Sequence, residues 1–136
     1  MISIQLEAYF YDAVCISSRE IAGIARKITS GLGIDDPAMD ILITHDGTMK
    51  KLNKRFLGME GPTNILSFPD PDDHTDSLGQ LVINADALGR ESFLYGQEPV
   101  SCLERLMIHG ILHLAGYEHG ELMDEAALGL ESVINQ

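Results

Sequence analysis

Residues 101–119 read SCLERLMIHGILHLAGYEH, and the rest of the chain is organised around this stretch. Leu103, Leu106, Met107, Ile108, Ile111 and Leu112 leave almost no polar face, which predicts a buried helix. Ser101 and Glu104 form a capping-box pattern at its start, and Gly116 ends it after Leu114 or Ala115. His109 and His113 are four apart, so they lie about 6 Å apart along the axis at ~1.5 Å per residue, on one face. Two imidazoles so placed converge on one metal ion. The helix cannot supply His119 as well, but Gly116 accepts a left-handed conformation and turns the chain back. Three protein ligands leave a position for water or substrate, which is the catalytic pattern of zinc. Water on such an ion is a source of hydroxide near neutral pH.

The offsets His-x3-His-x5-His, with glycine at the bend, match the ligand spacing of metzincin proteases. Those proteases carry Glu directly after the first histidine as general base. Here that position is Gly110, so peptide hydrolysis by that route is disfavoured. Glycine inside a helix costs about 1 kcal/mol relative to alanine. Its presence implies close approach beside the histidines, either of substrate or of a packed neighbour.

Outside this stretch, helices and strands mix without strict alternation. Ile2, Ile4 and Leu6 alternate with polar residues, as in a strand. Ser17 and Glu20 form a capping box ahead of Ile21, Ile24, Ala25, Ile28 and Leu32 at helical spacing, with Gly31 and Gly33 as the stop. Strands are expected over 39–44, 64–68 (stopped by Pro69) and 80–84. Asp46 is a candidate cap for a short helix carrying Met49, Leu52 and Phe56. A weak helix is expected over about 86–95, and a last one through Met123, Ala126, Leu130 and Ile134. The acidic stretch Asp70, Asp72, Asp73, His74 and Asp76 reads as a solvated loop, with a second cation site as the alternative. The pattern predicts a single α+β domain over 1–136: a mixed four-stranded sheet packed with about five helices and a zincin-like metal site on a buried helix.

Composition narrows the function. The chain has 136 residues, 45% hydrophobic and 22% charged, which excludes disorder as the main state. Nine basic residues against 21 acidic give a net charge of −12, unlike proteins that coat DNA. Trp is absent and aromatics are 6%, which argues against a broad base-stacking platform. Lys50, Lys51, Lys54 and Arg55 nevertheless gather four of the nine basic residues within six positions. They are the candidate RNA-binding patch, with a solvated helix face as the competing reading. Cys15 and Cys102 form no C-x-x-C pair, no early basic residue precedes an apolar run, and no stretch nears 18 apolar residues. These features point to a cytoplasmic protein with reduced thiols.

Several segments together resemble the YbeY family of bacterial rRNA maturation factors. The family signature is similar to H-G-x-L-H-L-x-G-Y-D-H, and here it reads HGILHLAGYEH. Residues 62–69, PTNILSFP, resemble the family's P-T-(D/N)-V-L-S-F-P. Leu52-Asn53 resembles its L-N, and residues 78–83, LGQLVI, its L-G-D-I-V-I. The resemblance implies an α+β, zincin-like fold and a metal-dependent, single-strand-specific endoribonuclease acting in small-subunit rRNA 3′ maturation and ribosome quality control. It implies His109, His113 and His119 as ligands of one Zn²⁺ and a role for His109 in the chemistry; three imidazoles also suit nickel, copper or iron. The implied partners are single-stranded RNA, rRNA and the small ribosomal subunit with its proteins, without membrane or DNA. Three positions depart from the family: Glu118 for Asp, Gln80 for Asp, and Leu57 where the family has its functional arginine before a glycine. Arg55, two residues earlier, is the candidate for the arginine's catalytic role, although on a helix it points in another direction. Two other functions stay open: a metallohydrolase with a non-RNA substrate such as peptide, and a non-catalytic ribosome assembly factor with a structural metal.

Overall fold

In a computed structural model the described residues are 1–7, 16–71, 77–118 and 120–134. They form β1 (Ile2–Leu6), α1 (Ser18–Gly31), β2 (Ala38–Thr44), α2 (Asp46–Leu57), β3 (Ile65–Pro69), β4 (Ser77–Asn84), α3 (Ala85–Leu94), α4 (Pro99–Leu114) and α5 (Glu121–Ile134). The sheet order is β1-β2-β4-β3. β1 and β4 run parallel to β2, and β3 pairs antiparallel to β4. This is the expected single α+β domain with a mixed four-stranded sheet and five helices.

The period-two alternation of the strands decides which helix covers which face. Met39, Ile41, Ile43, Leu81 and Ile83 point into the main core, with Ile21 and Ile28 of α1, Leu103, Met107 and Ile111 of α4, and Met123 and Leu130 of α5. Val82 and Leu66 point the other way and pack on Met49 of α2. Leu81, Ile83, Leu103, Met107 and Ile111 are fully buried.

β3 is an edge strand, and it extends one residue beyond expectation. Pro69 pairs with Gly79 instead of stopping the strand, because a proline without N–H is tolerated at an edge. Gly79 has φ +122°, and a Cβ there would fall 2.2 Å from the carbonyl oxygen of Phe68. Only glycine permits β4 to enter the sheet against β3 this closely.

The helix starts divide by physical cause. Ser17 caps α1 as read: its Oγ accepts from the Glu20 N–H at 3.1 Å, and Glu20 Oε1 accepts from the Ser17 N–H at 3.4 Å. The Ser101–Glu104 box does not form. α4 begins earlier, at Pro99, whose preset φ and missing N–H suit the first helical position. Asp46 is not the cap of α2 either; His45 takes that position without a side-chain bond. The N–H of Asp46 instead donates to Asp86 Oδ2 on α3 at 3.0 Å.

Asn84 is the junction of these pieces. It is fully buried at the end of β4. Its Oδ1 accepts from the N–H groups of Asp86 (3.0 Å) and Ala87 (3.4 Å), capping α3. Its Nδ2 donates to Asp46 Oδ1 (2.8 Å) and to the Thr63 carbonyl (3.0 Å). One amide thus ties β4 and α3 to the start of α2 and to the segment entering β3.

Among the described residues no helix is long and apolar enough to cross a membrane. Cys102 is buried in the core as expected. Cys15 and, in the acidic loop, Asp72, Asp73, His74 and Asp76 lie outside the described residues.

Candidate active site

α4 is buried on most of its circumference but not all. Arg105, His109 and His113 follow at steps of four and form one accessible stripe, with His109 exposed and the other two half-buried. The expected buried-helix histidines are therefore open to solvent along a groove. That groove, about 920 Å³, runs between β3, the end of α2 and α4. Ile65, Ser67 and Phe68 form one wall, Phe56 and Leu57 a second, and His109, Gly110 and His113 the floor. Phe56 meets Phe68 edge to face at 5.3 Å between centroids.

The turn after α4 orients one histidine. Tyr117 N–H donates to the Leu112 carbonyl at 3.0 Å and Gly116 N–H to the His113 carbonyl at 3.1 Å, a Schellman ending. Gly116 has φ +98°, the left-handed conformation expected of it. The turn brings the Tyr117 carbonyl 3.1 Å from His113 Nδ1. A carbonyl only accepts, so Nδ1 carries the proton and the lone pair sits on Nε2. This is the arrangement by which proteins hold a metal-ligating imidazole.

Gly110 lies between the two histidines, and its role is packing. A Cβ there would stand 2.5 Å from Leu81 Cδ1 and 2.7 Å from Ile65 Cδ1. Ser67 Oγ also donates to the Gly110 carbonyl at 3.0 Å. The missing side chain lets α4 sit close on β3 and β4, which sets the histidines against the edge strand.

The other expected site residues are distributed as follows. Lys50, Lys51, Lys54 and Arg55 are all exposed on α2. The Arg55 guanidinium lies 5.3 Å from the centroid of the Phe56 ring. Leu57, not Arg55, lines the groove. Glu118 is at the groove's end, and Gln80 faces away from it on β4. His119 lies outside the described residues, and among those described no group of three metal-binding side chains assembles. The donor set at hand, two imidazoles on one accessible helix face with one held by a carbonyl, fits zinc or a similar divalent ion. Two residues of this region escaped the sequence reading. Arg105 was open to the i,i+4 rule that paired the histidines. The Tyr117 carbonyl carries no side-chain signal.

Comparison with known proteins agrees with this frame. The single-domain α+β fold is shared with a solved Thermotoga maritima protein. The two superpose at a TM-score of 0.68 with 24% identity, covering 99% of this chain and 90% of the other. Residues 12–132 match the family described as Endoribonuclease YbeY, and the chain belongs to that family. It is 41% identical to the Endoribonuclease YbeY of Oleidesulfovibrio alaskensis, over 81% of this chain and 78% of that one. It is 33% identical to that of Geobacter sulfurreducens, over 86% and 81%.

Proposed function

We propose that this chain is a metal-dependent endoribonuclease that cuts single-stranded RNA, acting in the cytoplasm on rRNA of the small ribosomal subunit. Family membership supports the reaction class. The observation that carries the reading is the His109–His113 stripe on the floor of the groove, with His113 held by the Tyr117 carbonyl.

His109, His113 and His119 would hold one Zn²⁺. The bound ion supplies Lewis acidity toward a phosphate oxygen and lowers the pKa of water. The protein's own groups do the remainder. His113 is fixed in one tautomer. Phe56, Leu57 and Phe68 shape an apolar wall that accepts a base face. The groove is open along its length, as a single strand requires. Lys50, Lys51, Lys54 and Arg55 lie on the helix whose last residues form the groove wall, and they steer the sugar–phosphate backbone toward it. The ribosomal subunit and its proteins would supply the docking that a chain of charge −12 lacks by itself. Residence of the histidines on an open stripe, outside the packed core, favours a reactive centre over a purely structural one.

The test compares metal-loaded protein, chelated protein and His113→Ala on single-stranded RNA and on a peptide. RNA cleavage by the loaded protein alone is the expected result. Equal cleavage by all three would reveal a contaminating nuclease and overturn the assignment; cleavage of peptide but not RNA would move it to another hydrolase class.

A further inference from the structure

Arg105 stands one helical turn before His109 on the accessible stripe of α4, about 6 Å away along the axis. It lines a recess of about 410 Å³ together with Glu91, Tyr95, Gln97 and Cys102. Leu106 and His109 line both this recess and the groove, so the two spaces adjoin at His109.

The guanidinium is built into place from one side. Nη2 donates to Gln97 Oε1 and approaches Cys102 Sγ at 3.8 Å. Gln97 is itself fixed, because its N–H donates to the Ser92 carbonyl at 3.1 Å and its carbonyl accepts from Ser92 Oγ at 2.7 Å. Among the described residues no carboxylate pairs with Arg105, and Nε and Nη1 make no bond. The one acid lining the recess, Glu91, accepts from Asn64 Nδ2 at 3.1 Å. A half-buried arginine normally has an anion partner, because its fork matches carboxylate and phosphate oxygens. Among the described residues that partner is missing beside the histidines.

We propose that Arg105 and its recess form a phosphate subsite for the RNA strand, binding the phosphate that neighbours the one held at the histidines. The inference rests on the endoribonuclease reading. Arg105 acts on a flanking phosphate, so it is a positioning residue: its loss weakens binding more than it slows the bond-breaking step. Removing one charge-assisted contact of this kind costs about tenfold in affinity.

The experiment uses short single-stranded oligoribonucleotides with intact protein, Arg105→Gln and Arg105→Lys. Expected for Arg105→Gln are a KM raised about tenfold with kcat within about twofold, and a slope of log K against log salt shallower by about 0.7. Arg105→Lys should recover part of the KM. A second arm needs no variant: one methylphosphonate, uncharged, replaces either linkage flanking the cleaved one. One of the two positions should raise KM for the intact protein by the same factor and leave Arg105→Gln unaffected. Intact protein that cleaves RNA with Arg105→Gln indistinguishable from it, or intact protein indifferent to both substitutions, would overturn the subsite and leave the nuclease assignment standing. Intact protein that neither binds nor cuts RNA would overturn both.

Discussion

The Nδ1 of His113 lies 3.1 Å from the main-chain carbonyl of Tyr117, four residues on, across the turn that Gly116 makes with φ +98°. A ring nitrogen is thus governed by backbone rather than by a side chain. Tyr117→Phe should leave metal affinity and RNA cleavage within about twofold. Gly116→Ala strains the left-handed turn and displaces the carbonyl; metal affinity should fall about 10–100-fold, as for other outer partners of metal-binding histidines. Metal titrations of both variants decide it, and a Tyr117→Phe protein as weak as Gly116→Ala would contradict the assignment.

Removal of the metal should abolish activity without unfolding the chain. His109 is exposed and His113 half-buried, and the core closes around Leu103, Met107 and Ile111 without either imidazole. Chelation should lower Tm by mass action yet keep a single cooperative transition and an unchanged far-UV spectrum. Loss of the folded spectrum on chelation would instead mark a structural ion.

Gly110→Ala sets two effects against each other. Alanine gains about 1 kcal/mol of helix propensity. The new methyl group meets Leu81 and Ile65, and overpacking of this kind costs about 1–3 kcal/mol. Leu81 is fully buried and cannot swing into solvent, so the clash wins. Net destabilisation of up to about 2 kcal/mol in denaturant unfolding is expected, with weaker metal binding. A variant more stable than the parent would show that the sheet yields there freely.

Acid should loosen the link between α2 and α3. Arg90 bonds Asp46 at 2.6 and 3.0 Å, and together with Asn84 it lowers the Asp46 pKa from 3.8 to about 2. Because the folded pKa is depressed, the contribution is present above pH 3.8 and is lost as pH falls from there to about 2. Asp46 is 38% exposed, so solvent screening keeps the effect small. Arg90→Gln should flatten the pH dependence of stability in that window. An identical acid limb in both proteins would refute the pairing.

Asn84→Ala should cost about 2–4 kcal/mol, since it strips the cap of α3 and leaves the half-buried Thr63 carbonyl without its partner. Equilibrium unfolding measures this directly. A loss under about 0.5 kcal/mol would mean that water replaces the amide without penalty.

What could be read from the residues was local. The Ser17–Glu20 cap and the alternating strands each depend on neighbours a few positions away and formed as read, and the i,i+4 rule put His109 and His113 on one face of α4. The departures come from contacts distant in sequence. Pro99 overrode the Ser101–Glu104 box, and Asp86 reached across from another helix to serve the start of α2. Asn84 looked like the polar end of a strand; besides its local cap of α3, its partners Asp46 and Thr63 come from segments that only the fold unites. The sheet order placing β4 between β2 and β3 left no trace in any one segment.

The closeness of α4 to the sheet at Gly110 couples the reactive surface to the interior. Leu81 does not line the histidine groove, yet its volume governs how far the floor stands from the edge strand. Changes in the hydrophobic interior can therefore tune the width available to a nucleotide without altering any residue that meets it.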